Sequence, residues 1–147
     1  MPRDTLTDEE TRFVRRARVA RLGTASAGGQ PNVVPVCFEL LDGRIYIGLD
    51  SKPKSVAHLR LRRVRNILEN PRVSFLVDWY DDDWSRLGYV MITASATLDL
   101  QESERGRAIF ALRSKYPQYL RLLPDDAPVI RVTPIRVSSW GNTDDDD

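Results

Sequence analysis

The chain holds one cysteine (Cys37), one histidine (His58) and three lysines against nineteen arginines. A lone cysteine excludes an internal disulfide, and together with a lone histidine it excludes a zinc cluster of Cys and His ligands. Net charge is +1, so no global field draws nucleic acid or an anionic membrane surface. No stretch approaches the roughly 20 apolar residues of a membrane span. The first residues carry Asp4, Asp8, Glu9 and Glu10 and no apolar run, unlike a signal peptide. There is no G-x-G-x-x-G, no P-loop and no G-x-S-x-G elbow. A Ser-His-Asp triad would have to use His58, which falls within a basic helical pattern with no turn to aim it. The expectation is a cytoplasmic single domain over residues 1–147, with no nucleic-acid or membrane partner.

What is present reads as strands and amphipathic helices. Thr7-Asp8-Glu9-Glu10 has the form of a capping box, opening an N-terminal helix within residues 1–17 that buries Phe13, Val14 and Ala17. Residues 19–26 read as a strand, followed by the turn Ala27-Gly28-Gly29-Gln30. A single long strand is expected over 31–41, with Val34, Val36, Phe38 and Leu40 on one face and Cys37 as a small core residue. Pro35 donates no ladder hydrogen bond, which argues for an edge or a bulge there. Asp42-Gly43 is a tight hairpin into a strand over 44–49.

A helix over 53–68 follows, with Val56, Leu59, Val64, Ile67 and Leu68 as its apolar side, stopped by Asn70-Pro71. Strands are expected at 72–79, 84–100 and 129–140, with helices at 101–115 and around Tyr119, Leu120 and Leu123. The acidic end, 143–147, reads as a disordered tail. Six strands with short hairpins favour a mainly β fold with helices, a closed or nearly closed antiparallel barrel.

Two of the three lysines fall in Asp50-Ser51-Lys52-Pro53-Lys54-Ser55, at a strand-to-helix junction. Two ammonium groups, the hydroxyls of Ser51 and Ser55, and the unpaired N–H groups of a helix start suit a phosphate or carboxylate. A plain helix cap with solvated lysines is the competing reading. The aromatics Trp79, Tyr80, Trp84 and Trp140 sit at strand ends, where they either plug a barrel mouth or wall a flat ligand, with Arg86 for an anionic group. The acidic loop Asp78, Asp81, Asp82 and Asp83 lacks the glycine-punctuated pattern of a calcium loop. The arginines at 60, 62, 63 and 65 read as a solvated helix face.

Several stretches together carry a resemblance: Arg18-Val19-Ala20-Arg21-Leu22-Gly23-Thr24 leading to Gly29-Gln30-Pro31-Asn32-Val33-Val34-Pro35-Val36, then Asp50-Ser51-Lys52-Pro53-Lys54, Asn70-Pro71-Arg72-Val73-Ser74-Phe75-Leu76-Val77, Trp84-Ser85-Arg86-Leu87, and Pro134-Ile135-Arg136-Val137-Ser138-Ser139-Trp140-Gly141. In this order and spacing the chain resembles the pyridoxamine 5′-phosphate oxidase-like split-barrel family, and is most similar to its F420-using branch. The resemblance implies a homodimeric six-stranded split barrel with cofactor sites at the subunit interface. It implies coenzyme F420 as cofactor, with FMN as the alternative, and hydride transfer to a small organic substrate. A non-catalytic flavin or deazaflavin binder of the same fold is a further alternative. By position, Lys54 matches the phosphate lysine, assisted by Lys52 and Ser51. Asn32, Pro35 and Val36 match the strand lining the ring. Trp84, Arg86 and Trp79 match the wall on the substrate side, supplied by either subunit, and Trp140 the closing tryptophan.

Overall fold

A computed structural model describes residues 3–50 and 61–143. Its first helix, α1 (Asp8–Arg16), begins as the sequence predicts: the Thr7 hydroxyl accepts the Glu10 N–H at 3.1 Å, and the Glu10 carboxylate accepts the Thr7 N–H at 2.9 Å. Phe13 and Val14 face the core. The strands are β1 (Ala20–Ala25), β2 (Pro31–Val36), β3 (Glu39–Leu41), β4 (Arg44–Gly48), β5 (Arg72–Trp79), β6 (Gly88–Thr97) and β7 (Val129–Gly141). Helices α2 (Arg62–Glu69), α3 (Glu102–Lys115) and the short α4 (Tyr119–Leu122) complete the described elements.

Seven strands replace the six expected, because residues 31–41 form two strands. They join one antiparallel sheet in the order β2-β1-β5-β6-β7-β4-β3. β2 and β3 are therefore its opposite edges, yet only Cys37 and Phe38 separate them in sequence. The three residue steps from Val36 to Glu39 span at most about 11 Å, so the sheet has to curl until its edges come together, giving a mainly β half-barrel with helices packed on it. Pro35 lies on an edge strand, where its missing N–H costs no ladder bond. Cys37 lies in the junction, free and half-buried, rather than within a strand.

The junction's backbone polar groups are met by Tyr116, at the end of α3. Its hydroxyl accepts the Phe38 N–H at 3.1 Å and lies 3.1 Å and 3.0 Å from the carbonyls of Phe38 and Arg18. Burial pushes the Tyr116 phenol up to about 12, so it keeps the proton it donates. Phe38 is fully buried, edge-to-face with Phe75 at 5.1 Å between ring centres. Inside the curl Leu22, Leu40, Ile45, Phe75 and Ile92 form the main core, which α1 and α2 cover with Val14, Val64 and Ile67. Each such side chain contributes roughly 1.5–3 kcal/mol on burial. A second cluster packs Ile109, Leu112 and Leu123 against Tyr46 and Val129.

Two local expectations are corrected. Leu68 is exposed, and the buried polar member of α2 is Asn66, whose amide donates to the Thr24 hydroxyl at 2.9 Å. Trp84 does not open a strand: residues 84–86 form a 3-10 turn, started by the Asp83 carboxylate accepting from the Ser85 N–H and hydroxyl. β6 begins at Gly88, where a Cβ would meet the Asn142 carbonyl at 2.6 Å, so only glycine lets the ends of β6 and β7 approach this closely.

The N-terminal arm is fixed to β7. Arg3 pairs with Val137, and its guanidinium grips the buried Glu10 carboxylate through two bonds of 2.8 and 3.0 Å. Arg3's hydrogen bonds hold the Glu10 pKa down at about 2 from an ordinary 4.5. The unfolded chain therefore takes up this proton before the native one does, so this contribution is full above about 4.5 and is lost as pH falls through about 2. The thermal midpoint of wild type should fall across that window more steeply than that of Glu10→Gln; parallel curves would contradict the assignment.

Candidate functional site

Among the described residues, Asn32 and the aromatic rim lie at opposite ends of β1, with Pro35 and Val36 on the strand that runs between them. At one end, Asn32 sits opposite Thr24 on the edge strand β2. It shares a cleft of about 440 Å³ with Ser26, Gln30, Arg62 and Asn66. The Oδ1 atoms of Asn32 and Asn66 are buried with no hydrogen-bond partner among the described residues. Buried acceptors are normally satisfied, so two orphaned oxygens at one cleft mark a place lacking a donor. Arg62 opens α2, whose start has no side-chain cap and no acidic residue in its first turn. Its positive dipole end and the guanidinium both favour an anion there. Ser51, Lys52, Pro53, Lys54 and His58 lie outside the described residues.

Further along β2, Pro35 opposes Arg21 and Val36 opposes Ala20. Val36 is buried in the core on the same face as Asn32, while Pro35 is exposed on the other.

At the other end, Trp79 closes β5 and pairs with Gly88, which pairs with Gly141. This rim carries exposed Trp79, Tyr80, Trp84 and Trp140, the last stacked on Tyr89 at 6.1 Å. Arg86 lies 3.8 Å from Asp81. Beside them a cleft of about 540 Å³ runs between the end of α1 and the end of β5. Phe13, Arg16, Arg18 and Val19 help line it. The sequence reading gave these four no site role; the signal that bore on them was the short step from α1 into β1.

The structure does not bring the two groups together in one copy. Asn32 is level with Thr24, whereas Trp79 shares its cleft with Arg18. Arg18 and Thr24 are six residues apart along the segment that enters and forms β1, about 20 Å at roughly 3.3 Å per residue.

Among the described residues, no group of three or more His, Cys, Asp or Glu could hold a metal ion, and no helix is long and apolar enough to cross a membrane. The third lysine, Lys115, lays its ammonium 3.9 Å from the Phe38 ring centre, and burial pushes its pKa down to about 8. It belongs to the barrel junction rather than to either cleft.

A curled antiparallel half-barrel of this topology is the split-barrel fold of proteins that bind flavin-type cofactors. The chain belongs to the pyridoxamine 5′-phosphate oxidase family, whose sequence model matches residues 6–141. A 5a,11a-dehydrotetracycline/5a,11a-dehydrooxytetracycline reductase of Streptomyces rimosus is 36% identical over 72 residues, 49% of this chain and 48% of that protein. The match thus spans about half the length of that relative. A conserved hypothetical protein of Mycobacterium tuberculosis has the same fold, with a TM-score of 0.75 at 21% identity over 96% of this chain and 89% of its own. An FAD-binding protein of Mesorhizobium loti gives 0.63 at 25% identity, covering 95% of each chain.

Asn32 has a direct test. A structural amide would cost about 1–3 kcal/mol on removal, whereas an orphaned one should not. Asn32→Ala should leave the thermal midpoint within about 2 °C of wild type in the protein alone; a drop of more than about 5 °C would assign the residue to folding.

Proposed function

We propose that this chain is an oxidoreductase that holds coenzyme F420 between two copies of itself and reduces a small organic acceptor. The observation that carries the reading is the unpaired Asn32 Oδ1 in a cleft shared with Arg62. Flavins and deazaflavins both present a ring imide N–H, the donor this oxygen lacks, so the residues present fit either ring. Arg62 favours F420, whose acidic tail needs cations beyond those that hold a phosphate; FMN is the alternative. Lys54, with Lys52 and Ser51, is assigned the phosphate from the family pattern.

The coenzyme, when bound, supplies the hydride. The chain's own residues grip it, orient it and exclude water, which requires no side-chain nucleophile. Asn32 faces the ring from β2, the strand that Pro35 and Val36 continue and anchor in the sheet. Trp79, Trp84, Arg86 and Trp140 lie at the other end of β1 from Asn32, and they serve as the opposite wall to that residue when a second copy supplies them. That is the physical ground for the homodimer. The Streptomyces rimosus reductase, named for a polycyclic organic substrate, supports an organic acceptor.

Fluorescence titration with F420 and with FMN tests the choice, and oxidation of the reduced coenzyme in the presence of acceptors tests turnover. A charge-assisted bond to phosphate is worth about 1.5–3 kcal/mol, so Lys54→Ala should weaken binding by roughly 10- to 100-fold. Wild-type affinity in that variant would place the phosphate elsewhere, and binding without any turnover would return the protein to the class of cofactor carriers.

A further inference from the structure

The sheet has an outer face that neither core uses. α1 and α2 pack Val14, Val64 and Ile67 into the main core, and α3 packs Ile109 and Leu112 against Tyr46 of β4. Along β5 the alternation turns Val73, Phe75 and Val77 inward and Arg72, Ser74, Leu76 and Asp78 outward. Across the ladder Asp78 pairs with Tyr89 and Leu76 with Met91; further along, Ser74 pairs with Thr93 and Arg72 with Ser95. β1 adds Arg21 beside Leu76 and Gly23 beside Ser74. Leu76, Met91 and Tyr89 belong to neither core cluster. An antiparallel sheet with one side in water turns polar residues outward, yet the middle of this face on β5 and β6 is uncharged and built of leucine, methionine, serine and threonine. A second sheet can pack on such a surface about 10 Å away.

On β5 and β6 this face is charged only at its two ends. Asp78 stands at one and Arg72 at the other, six residues apart, about 20 Å along the strand. Neither side chain has an ion-pair partner among the described residues. When a face packs on a copy of itself, the two-fold axis lies in the plane between them. An axis crossing the strands between Leu76 and Ser74 turns each end of the face onto the opposite end of the other copy. Asp78 then meets the partner's Arg72, and Arg72 the partner's Asp78, giving two equivalent ion pairs. Leu76 falls on the partner's Ser74 and Met91 on the partner's Thr93, large on small. Arg21 falls on the partner's Gly23, where no side chain obstructs it. An axis along the strands keeps each end on itself, so neither charge reaches its opposite. The crossing axis also carries the Trp79 end of each copy to the Asn32 end of the other, since Asn32 is level with Thr24, the neighbour of Gly23.

We infer that the outer face of β1, β5 and β6 docks a second copy of this chain, in a two-fold register set by Asp78 and Arg72. This deepens the reading above, which calls for two copies without saying which faces meet, and rests on it only in giving the pairing a use. The pairing itself needs no coenzyme.

The test is sedimentation equilibrium of the full chain, free of coenzyme. Wild type should dimerise. Asp78→Arg and Arg72→Asp should each weaken the dimer about 10-fold, since each turns both ion pairs into like-charge pairs. The double exchange, Asp78→Arg with Arg72→Asp, should return the affinity to within about 3-fold of wild type, a recovery that misfolding does not produce. Leu76→Arg should be monomeric while keeping the far-ultraviolet circular dichroism of wild type. A monomeric wild type, single reversals that dimerise as wild type does, a double exchange no tighter than the singles, or a Leu76→Arg dimer of wild-type affinity would each overturn the inference. A dimer that follows this pattern but binds neither F420 nor FMN refutes the oxidoreductase reading alone. Coenzyme binding and turnover by a dimer indifferent to these substitutions refutes this inference alone.

Discussion

Two residues, Cys37 and Phe38, join the opposite edges of a seven-stranded sheet, and that short link is the constraint from which the architecture follows. A flat sheet would hold its outer strands about 29 Å apart, at about 4.8 Å per inter-strand gap. The covalent link forbids that, so the sheet curls. The curl interrupts the ladder at the junction and leaves Phe38's backbone groups without a strand partner. Tyr116 supplies both a donor and an acceptor there, from the last turn of a helix almost eighty residues later. The same hydroxyl reaches the Arg18 carbonyl, so the closure also fixes the start of β1. Buried polar groups of this kind are costly to leave unpaired, which ties α3 to the barrel more firmly than its apolar contacts alone.

From that closure comes the placement of the two clefts. β1 is central enough to be paired on both sides, with β2 and with β5, and its length sets how far apart its ends lie. One end gathers polar groups without partners and a helix start. The other gathers exposed indoles and a mixed-charge rim. Neither is a complete site for a ring with a phosphate on one side and an acceptor on the other. A two-fold arrangement would bring one end of each copy to the opposite end of the other.

Much of the fold was legible because local chemistry agreed with the outcome. The capping box at Thr7, the Asp42-Gly43 turn and the alternation of Val73, Phe75 and Val77 all hold in the structure. The break at Cys37 was not legible. Val34, Val36, Phe38 and Leu40 continue the period-2 pattern straight through it, because the residues on both sides face the same core while pairing with different strands. Leu68 misled for a related reason: helical spacing gives a stripe, but which residues of the stripe are covered depends on where β1 crosses beneath α2. Asn66 was readable in principle, as a polar residue within the apolar stripe of Val64 and Ile67. The site was legible by type more than by place: arginine and tryptophan chemistry stands out in the sequence, whereas the separation of Asn32 from Trp79 depends on strand register.

The claim most open to decision is that these two ends act together only across two copies of the chain. Co-expression of Asn32→Ala with Trp79→Ala protomers, followed by coenzyme titration of the mixed population, addresses it directly. Each variant alone should lack tight sites. Random pairing should restore about a quarter of the wild-type number, since half the dimers are mixed and one of their two sites is intact. If the mixture shows no tight sites, or if both variants alone bind as wild type does, the two ends do not form a shared site and the account fails.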